Sequence, residues 1–398
     1  MMILIKNVRY FDGKQIVNNS NVVVSGTKIS GIFGDGYIQY PSRLDKVIDG
    51  KGRLLVPGFI DIHIHGCSGC DVMDGTPEAL IKIAGTLVEN GTTSFLPTTV
   101  TMSRQITQNA IKNIRSCMEW NTGANMLGIH LEGPFINKAR KGAQNEKYIL
   151  EPSIENFKDF VNGNLQGIKR VTLAPEMDGG ITLTKYLAEN GICVSAGHTC
   201  ASAETFRSSV NAGLRLCTHL FNGMDPLHHR NPGVVGSVLL NDDVYVEFIA
   251  DMVHIDKDVL SLITKVKGAD KCVLITDSLS AACLGDGTFN LGGQVVIVKD
   301  GIARVESGSL AGSIMTMKDA LRNMVKTVGA DLISALKMAT INPAKVIGID
   351  HFKGRIEEGY DADLNLLNAD LGIDMTMVMG RVVRMCGGVY ESTGRLWL

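Results

Sequence analysis

Six side chains of the types that bind divalent metal ions each stand at the end of a short apolar run. A barrel of parallel strands carries its catalytic groups at the carboxyl ends of the strands, so ligand-type residues in these positions predict one shared site. Imidazole and carboxylate together suit zinc or iron(II) better than calcium, which prefers oxygen ligands alone. On a strand, the spacing of His63 and His65 points both imidazoles to the same face. The candidate ligands are His63, His65, Glu132, His198, His219 and Asp277.

Each of these residues also has a purely structural interpretation. A single histidine at a strand end is usually a hydrogen-bonded core or loop residue, and two histidines separated by one residue are a weak signal. Glu132 could cap the next segment, and Asp277 could begin a helix. Their order favours a metal site over chance, because a histidine pair, a glutamate, two further histidines and an aspartate all follow strand-like runs.

Strand-like and helix-like segments alternate through the middle of the chain. Eight strand–helix units are what a (β/α)8 barrel requires, so we predict an α/β fold with a TIM-like catalytic barrel over residues 57–348. Helices are predicted at 77–90, 203–213 and 331–348, among others. The strand-like runs are GFIDIHI (58–64), TSFLPTT (93–99), MLGIHLE (126–132), VTLAP (171–175), ICVSAG (192–197), RLCTHL (215–220), YVEFIA (245–250) and CVLITD (272–277).

The two ends of the chain have a different pattern from the middle. Residues 1–56 contain short strand-like runs separated by turn signals such as Asp12-Gly13 and Asp49-Gly50. Residues 349–398 look similar. We therefore predict that both termini pair into one small β-sandwich domain beside the barrel.

Composition excludes several classes of function. A net charge of −2 with 20% charged residues gives no basic surplus for nucleic acid, although local arginines can still bind a small anion. No apolar run is long enough to cross a membrane, and the start of the chain does not resemble a signal peptide. The nine cysteines, several inside apolar runs, predict reduced thiols in a cytoplasmic protein. We interpret Cys67 and Cys70 as part of a loop.

The motifs around the candidate ligands resemble a known family. The order of the ligands is similar to that of the amidohydrolase superfamily, and the glutamate in HLEGPF narrows the resemblance to the N-acetylglucosamine-6-phosphate deacetylases. The resemblance spans nearly the whole chain and implies a metal-dependent hydrolase that releases acetate from a phosphorylated amino sugar. Other matching stretches are PGFIDIHIHG, LAPE, SAGHT, THLFNGM, IADMVHID, LITDSL, SLAGSIMTM and NPAKVIG.

The resemblance also implies roles for individual residues. Glu132, His198 and His219 would hold the principal metal ion, and His63 and His65 a second one. Asp277 would be the acid and base for the attacking water, and Asn222 and Gly223 would line the sugar site. His254 and Arg230 would bind the 6-phosphate, with Arg230 reaching the site from the other subunit of a homodimer.

Gln144 marks a departure from the family's best-known bacterial form. That form lacks the histidine pair and has a histidine, thought to polarise the acetyl carbonyl, where this chain has Gln144 in RKGAQNE. The difference is compatible with polarisation by a second metal ion or by Gln144 itself. The number of metal ions per subunit, one or two, is therefore left open.

Three alternatives share parts of this pattern. N-acetylgalactosamine 6-phosphate differs from the glucosamine substrate only at C4, and the sequence does not separate the two sugars. A non-catalytic protein on the same scaffold would usually lose metal ligands, whereas all six are present here. A dihydroorotase-like cyclic amidohydrolase commonly uses a carboxylated lysine on the fourth strand, and VTLAPE contains none.

Overall fold

Strands make up both the centre and the ends of the chain. The computed structural model describes residues 1–34, 44–120, 122–386 and 390–392. The strands of these residues are β1 (Met2–Phe11), β2 (Ile16–Ser25), β3 (Lys28–Gly34), β4 (Lys46–Asp49), β5 (Leu54–Pro57), β6 (Phe59–Ile64), β7 (Gly66–Cys67), β8 (Cys70–Asp71), β9 (Thr92–Thr99), β10 (Asn125–Met126), β11 (Ile129–Glu132), β12 (Ile168–Leu173), β13 (Cys193–Ala196), β14 (Leu216–Cys217), β15 (Tyr245–Ile249), β16 (Cys272–Ile275), β17 (Gly287–Leu291), β18 (Gln294–Lys299), β19 (Ile302–Val305), β20 (Leu364–Leu367), β21 (Ile373–Val378), β22 (Arg381–Met385) and β23 (Tyr390–Ser392).

Helices follow most of the central strands, and many begin at a side-chain cap. Thr76, for example, accepts a hydrogen bond from the third residue after it, and Pro77 occupies the first helical position. No helix within the described residues has the length and apolar character needed to cross a membrane. The α-helices are α1 (Pro77–Glu89), α2 (Arg104–Cys117), α3 (Ile154–Phe160), α4 (Gly180–Glu189), α5 (Ala203–Asn211), α6 (Gly233–Leu239), α7 (Lys257–Lys267), α8 (Met317–Asn323), α9 (Leu332–Ala339) and α10 (Ile341–Val346).

The central strands form the predicted parallel barrel. They are ordered β6-β9-β11-β12-β13-β14-β15-β16, and the short β10 extends the same sheet. A parallel bridge between Ile64 and Ser278 joins the first strand to the segment after the last. The helices cover the outside of the barrel, so the strands are buried on both faces and appear as apolar runs in the sequence. The (β/α)8 prediction is confirmed.

The predicted single helix over 331–348 is wrong in one respect. The segment forms two helices, α9 and α10, which are separated at Thr340. Thr340 has a non-helical backbone with φ −131° and ψ −80°. Pro343 accounts for the break, because proline lacks a backbone N–H and its ring collides with the carbonyl of the preceding turn.

The termini meet in a separate sheet beside the barrel. In the described residues, β1–β5 and β20–β23 form one sheet, in which β5 pairs with β20 and β4 with β23. The first half of β1 pairs with β4 and its second half with β5. Apolar side chains such as Ile5, Leu55 and Met377 fill one core in this unit. The predicted two-terminus β domain is confirmed as part of the fold class, while its boundaries at 56/57 and 348/349 stay a prediction. Parts of both segments, 35–43, 387–389 and 393–398, lie outside the described residues.

A three-stranded antiparallel sheet between the last barrel strand and α8 was not predicted. Its strands β17, β18 and β19 are joined by two-residue turns at Gly292-Gly293 and Asp300-Gly301, all four residues having positive φ. Glycine pairs and Asp-Gly are strong signals for such turns, because each central residue must adopt a left-handed backbone. The sheet packs against Val100 and Leu279 next to the barrel rim.

Candidate active site

The six candidate ligands come together in two adjacent groups at the carboxyl ends of the barrel strands. All six side chains are buried, and within each group the potential ligand atoms lie within 4.8 Å of one another. One group is His63, His65 and Asp277, and the other is Glu132, His198 and His219.

Glu132 lies between the two groups. Its Oε1 is 3.3 Å from His63 Nε2, 3.3 Å from His198 Nε2 and 3.2 Å from His219 Nε2. Its Oε2 is 3.3 Å from His65 Nε2, which is also 3.1 Å from Asp277 Oδ1. A carboxylate whose oxygens together face imidazoles of both groups is suited to bridging two metal ions.

The histidine rings are held so that their Nε2 atoms face inward. Backbone carbonyl oxygens lie near the other ring nitrogen of three of them: Thr98 near His65 at 3.2 Å, Arg140 near His198 at 2.9 Å, and Asn222 near His219 at 3.0 Å. A ring nitrogen that donates to a carbonyl leaves the other free to bind metal. Among the described residues, the buried Nε2 of His63 has no hydrogen-bond partner. The donor set therefore fits a divalent metal ion.

Three of the six residues lie on strained backbone just past their strands. His198 has φ 50°, His219 φ 29° and Asp277 φ 47°, all in the left-handed region that side chains other than glycine rarely adopt. Each lies two residues beyond the end of β13, β14 or β16. Such strain persists only where the surrounding structure holds it, and it is concentrated at functional sites.

The carboxylates of the site are held in their ionised form. Burial alone would raise the pKa of Asp277, but the neighbouring His63 and His65 reverse this effect and lower it to about 2. Burial opposes ionisation of Glu132 as well, and the surrounding imidazoles lower its pKa well below the ordinary range. Both groups are therefore available as anionic ligands or proton acceptors at neutral pH.

A cavity of about 290 Å³ opens onto these groups. Four residues predicted to contact substrate, Gln144, Asn222, Gly223 and His254, line it. Gly223 lies so close to His198 that an added Cβ would come within 2.8 Å of its ring, which accounts for glycine at this position. Further lining residues not identified from the sequence are Val100, Thr101, Gly142, Ala143, Asn145, Leu291, Gly292, Gln294, Ser309, Leu310 and Gly312.

Gln144 is tied to the metal-binding groups at both ends of its amide. Its Nε2 donates to Glu132 Oε2 at 2.7 Å, and its Oε1 accepts from the backbone N–H of Thr101 at 2.6 Å. The loop that carries it is held by Gln294, whose side chain donates to the Ala143 carbonyl. One N–H of the Gln144 amide is left for a ligand in the cavity.

Arg230 does not line the cavity. It lies in an exposed segment, and its guanidinium is 2.8 Å from His229 Nε2. His254 does face the cavity, and its Nδ1 is 2.7 Å from the Asp251 carboxylate. A single chain therefore brings together every predicted site residue except Arg230.

Comparison with known proteins agrees with this geometry. A model of the amidohydrolase family matches residues 54–383. This chain belongs to the amidohydrolase family. The N-acetylglucosamine-6-phosphate deacetylase of Lysinibacillus sphaericus is 37% identical to this amidohydrolase, and the match covers 96% of this chain and 98% of the relative. The resemblance to this branch of the family, first indicated by the motifs, is confirmed.

Two further relatives of this amidohydrolase bear on its fold and its substrate. The crystal structure of N-acetylglucosamine-6-phosphate deacetylase from Pasteurella multocida is 34% identical, with a TM-score of 0.90 over 96% of this chain and 99% of that one. The N-acetylgalactosamine-6-phosphate deacetylase of Escherichia coli O157:H7 is 36% identical over 67% of this chain and 70% of the relative. Relatives named for either sugar thus lie at comparable identity, and the glucosamine-type matches extend further along the chain.

Proposed function

We propose that this amidohydrolase hydrolyses the acetamide of N-acetyl-D-glucosamine 6-phosphate to D-glucosamine 6-phosphate and acetate. The observation that carries the proposal is the pair of buried ligand groups that share Glu132 at the floor of a cavity lined by sugar-site residues. The full-length similarity to N-acetylglucosamine-6-phosphate deacetylases supports the same substrate.

The chain's own groups supply the proton transfers of this reaction. Asp277 is ionised and buried beside the cavity, so it accepts a proton from the attacking water. The water oxygen forms the new bond to the acetyl carbon, and the C–N bond breaks as the same proton passes to the leaving nitrogen. A divalent ion at these ligands supplies Lewis acidity toward the water and the acetyl carbonyl. Gln144 donates its remaining N–H toward the acetyl group.

We propose zinc or iron(II) as the metal, with up to two ions per subunit. The mixed imidazole and carboxylate donors favour these ions over calcium or magnesium. Glu132, His198 and His219 would hold the principal ion, and His63 and His65, with Asp277, the second. Glu132 would bridge them, which is supported by its contacts to both groups.

We propose that the 6-phosphate is bound by His254 and by Arg230 of a second subunit in a homodimer. The Arg230 guanidinium suits a phosphate because it offers a planar fork of donors. Its exposed position outside the cavity of its own chain is compatible with a role across an interface.

The cytoplasm is the proposed location. Cys217 and Cys272 are fully buried among apolar side chains, and burial raises the pKa of the Cys272 thiol to about 12. Buried, protonated thiols of this kind are typical of proteins kept under reducing conditions.

N-acetylgalactosamine 6-phosphate is the alternative substrate, supported by the similarity to the E. coli deacetylase named for that sugar. A non-catalytic role on this scaffold is disfavoured because both ligand groups are complete. Acetate release should be measured with both 6-phosphorylated sugars and with their unphosphorylated forms. We expect the highest kcat/KM with N-acetylglucosamine 6-phosphate. A higher value with the galactosamine sugar would reverse the assignment, and no release from any of the four would refute deacetylation.

A further inference from the structure

A buried ion pair lies inside the barrel beneath the metal-binding groups. Arg170 on β12 and Glu247 on β15 are both 0% exposed. The two nitrogens of the Arg170 guanidinium fork donate to Glu247 at 2.6 Å to Oε2 and 2.7 Å to Oε1. Arg170 also donates to the Ile62 carbonyl and to the hydroxyls of Ser195 and Thr218. The pair on β12 and β15 is thus fixed by three further strands or strand ends, β6, β13 and the end of β14.

An ion pair in a barrel core needs a reason beyond stability. Desolvating two charges costs about as much as their attraction returns, and apolar residues of similar size often serve a core as well. The bidentate geometry fixes the plane of the Glu247 carboxylate, so its remaining lone pairs point in defined directions. One of these directions leads to His63.

Glu247 Oε1 is 2.8 Å from His63 Nδ1, and it accepts the proton that this ring nitrogen carries. In the neutral ring, which is the form that binds a metal ion, the opposite nitrogen Nε2 then carries no proton; it faces Glu132 at 3.3 Å and Asp277 at 3.4 Å. We infer that Glu247, locked in place by Arg170, is the positioning residue that presents His63 Nε2 to a metal ion. Metal-binding histidines commonly donate their other ring N–H to such a carboxylate.

The two metal-binding groups depend on Glu247 to different degrees. His63 contacts it through the ring that would bind metal, whereas His219 contacts it only through the backbone N–H, 3.2 Å from the same Oε1. The His219 ring is oriented separately by the Asn222 carbonyl. Loss of the carboxylate should therefore weaken the group that contains His63 far more than the group that contains His219.

Metal titration of the metal-free protein tests this asymmetry. Zinc affinities of both sites should be measured by competition with a chromophoric chelator for the wild type and for Glu247→Gln. We expect the ion that the double variant His63→Ala and His65→Ala fails to bind to lose roughly 10- to 100-fold in affinity in Glu247→Gln, while the other ion keeps its own. Ser195→Ala is the matched control, because it removes one contact of Arg170 and leaves the Glu247–His63 contact intact.

A second variant covers the risk that Glu247→Gln leaves Arg170 unpaired and unfolds the barrel. Arg170→Met with Glu247→Met removes both charges together, so no uncompensated ion stays in the core. It should fold, as judged by circular dichroism without metal, and show the same selective loss. Wild-type affinity at both sites in either folded variant would overturn the inference. Failure of both variants to fold would also overturn it, because the Arg170–Glu247 pair would then be structural.

The inference rests on the proposed two-metal site, and the same titration separates the two ideas. A wild type that binds a single ion, held by Glu132, His198 and His219, would contradict the two-metal proposal itself. A wild type that binds two ions, with both affinities unchanged in a folded Glu247 variant, would contradict only the positioning role of Glu247.

Discussion

At the scale of single residues, the proposed reaction depends most directly on Asp277. Replacing it by asparagine keeps its size but removes the ability to accept a proton, and a general acid–base group is typically worth ~10²–10⁴-fold in rate. We expect Asp277→Asn to lower kcat by at least the smaller of these factors, measured as initial acetate release. The principal ion should be retained, because Asp277 is not in the group formed by Glu132, His198 and His219.

Asp370→Asn is the control for that substitution, since Asp370 is exposed and lies outside the cavity. It should leave kcat unchanged, and elemental analysis should accompany both assays. Near-normal turnover in Asp277→Asn would mean that another group moves the proton.

The proposed second metal site depends on the histidine pair His63 and His65. With His63 and His65 intact we expect up to two divalent ions per subunit after reconstitution, measured by elemental analysis of dialysed protein. The double substitution His63→Ala and His65→Ala should reduce the ceiling to one, because the second group then retains only Asp277. A ceiling of one ion in the wild type would be incompatible with a second site.

The positions of the candidate ligands could be predicted from sequence, whereas their geometry could not. His198, His219 and Asp277 follow apolar runs, and parallel strands bring such positions to one rim whatever the details of the loops. The apolar runs carry no signal of their left-handed backbone, and the contacts of Gln144 involve groups distant in sequence, such as the backbone N–H of Thr101. Whether the six residues bind metal as proposed stays a prediction.

At the scale of secondary-structure elements, the sequence predicted the eight barrel strands but not the sheet β17–β19. The barrel strands repeat one pattern eight times, and their runs are buried on both faces. The strands of the small sheet alternate between buried and exposed positions, as β18 does, and form no part of that repeat. The turns at Gly292-Gly293 and Asp300-Gly301 were the available signal.

A buried charge cluster joins the terminal sheet to the barrel and supports a prediction about stability. Lys353 is 5% exposed and contacts Asp361 at 2.8 Å and Asp363 at 2.5 Å. Asp363 also accepts a hydrogen bond from Asn125, the first residue of β10. Lys353→Met leaves two buried carboxylates without this partner. Removing one member of a buried pair costs ~3–5 kcal/mol, so urea unfolding should show a loss of that size.

The same cluster gives the stabilisation a defined pH dependence. Burial tends to lower the pKa of Lys353, but Asp363 and Asp361 outweigh it and raise the pKa above its ordinary value of 10.5. The stabilisation that Lys353 provides is therefore complete below the unfolded-state pKa of ~10.4, and it is lost as the pH rises through the folded-state pKa. The free-energy difference between the wild type and Lys353→Met should be constant from about pH 7 to 9 and shrink as the pH rises beyond ~10.4.

Lys337→Met is the control for both measurements. Its partner Asp270 is 69% exposed, and exposed ion pairs are worth only ~0–1 kcal/mol. A loss as small as this in Lys353→Met would show that the buried cluster does not tie the two parts of the molecule together.

At the scale of the whole molecule, the proposed homodimer makes Arg230 part of the neighbouring cavity. Arg230→Ala should raise KM for N-acetylglucosamine 6-phosphate by roughly ten- to a hundredfold, because a hydrogen bond to a charged group contributes ~1.5–3 kcal/mol. Weak activity on unphosphorylated N-acetylglucosamine should hardly change, since that substrate has no phosphate. Equal losses on both sugars would contradict a role at the phosphate.

Mixed dimers test whether Arg230 acts across the interface. Asp277→Asn subunits mixed with Arg230→Ala subunits form hybrid dimers. If Arg230 acts in trans, the Asp277→Asn subunit contributes its intact Arg230 to the site of its partner, and that site keeps Asp277. High-affinity activity should then return in the mixture, measured at low substrate concentration. If Arg230 serves its own chain, no hybrid site holds both groups, and verified hybrids without rescue would place the subunit interface elsewhere.

Natural selection for stability and selection for activity oppose each other at His198, His219 and Asp277. Glycine adopts this left-handed backbone most readily, and a residue with a Cβ there costs ~1–3 kcal/mol of stability. A lineage that no longer needed the reaction could gain stability by losing these side chains first. An active enzyme must retain them, and the stability of the rest of the barrel must offset their cost. That remaining stability limits how many further destabilising substitutions this enzyme can accept, and so how readily it acquires new specificities.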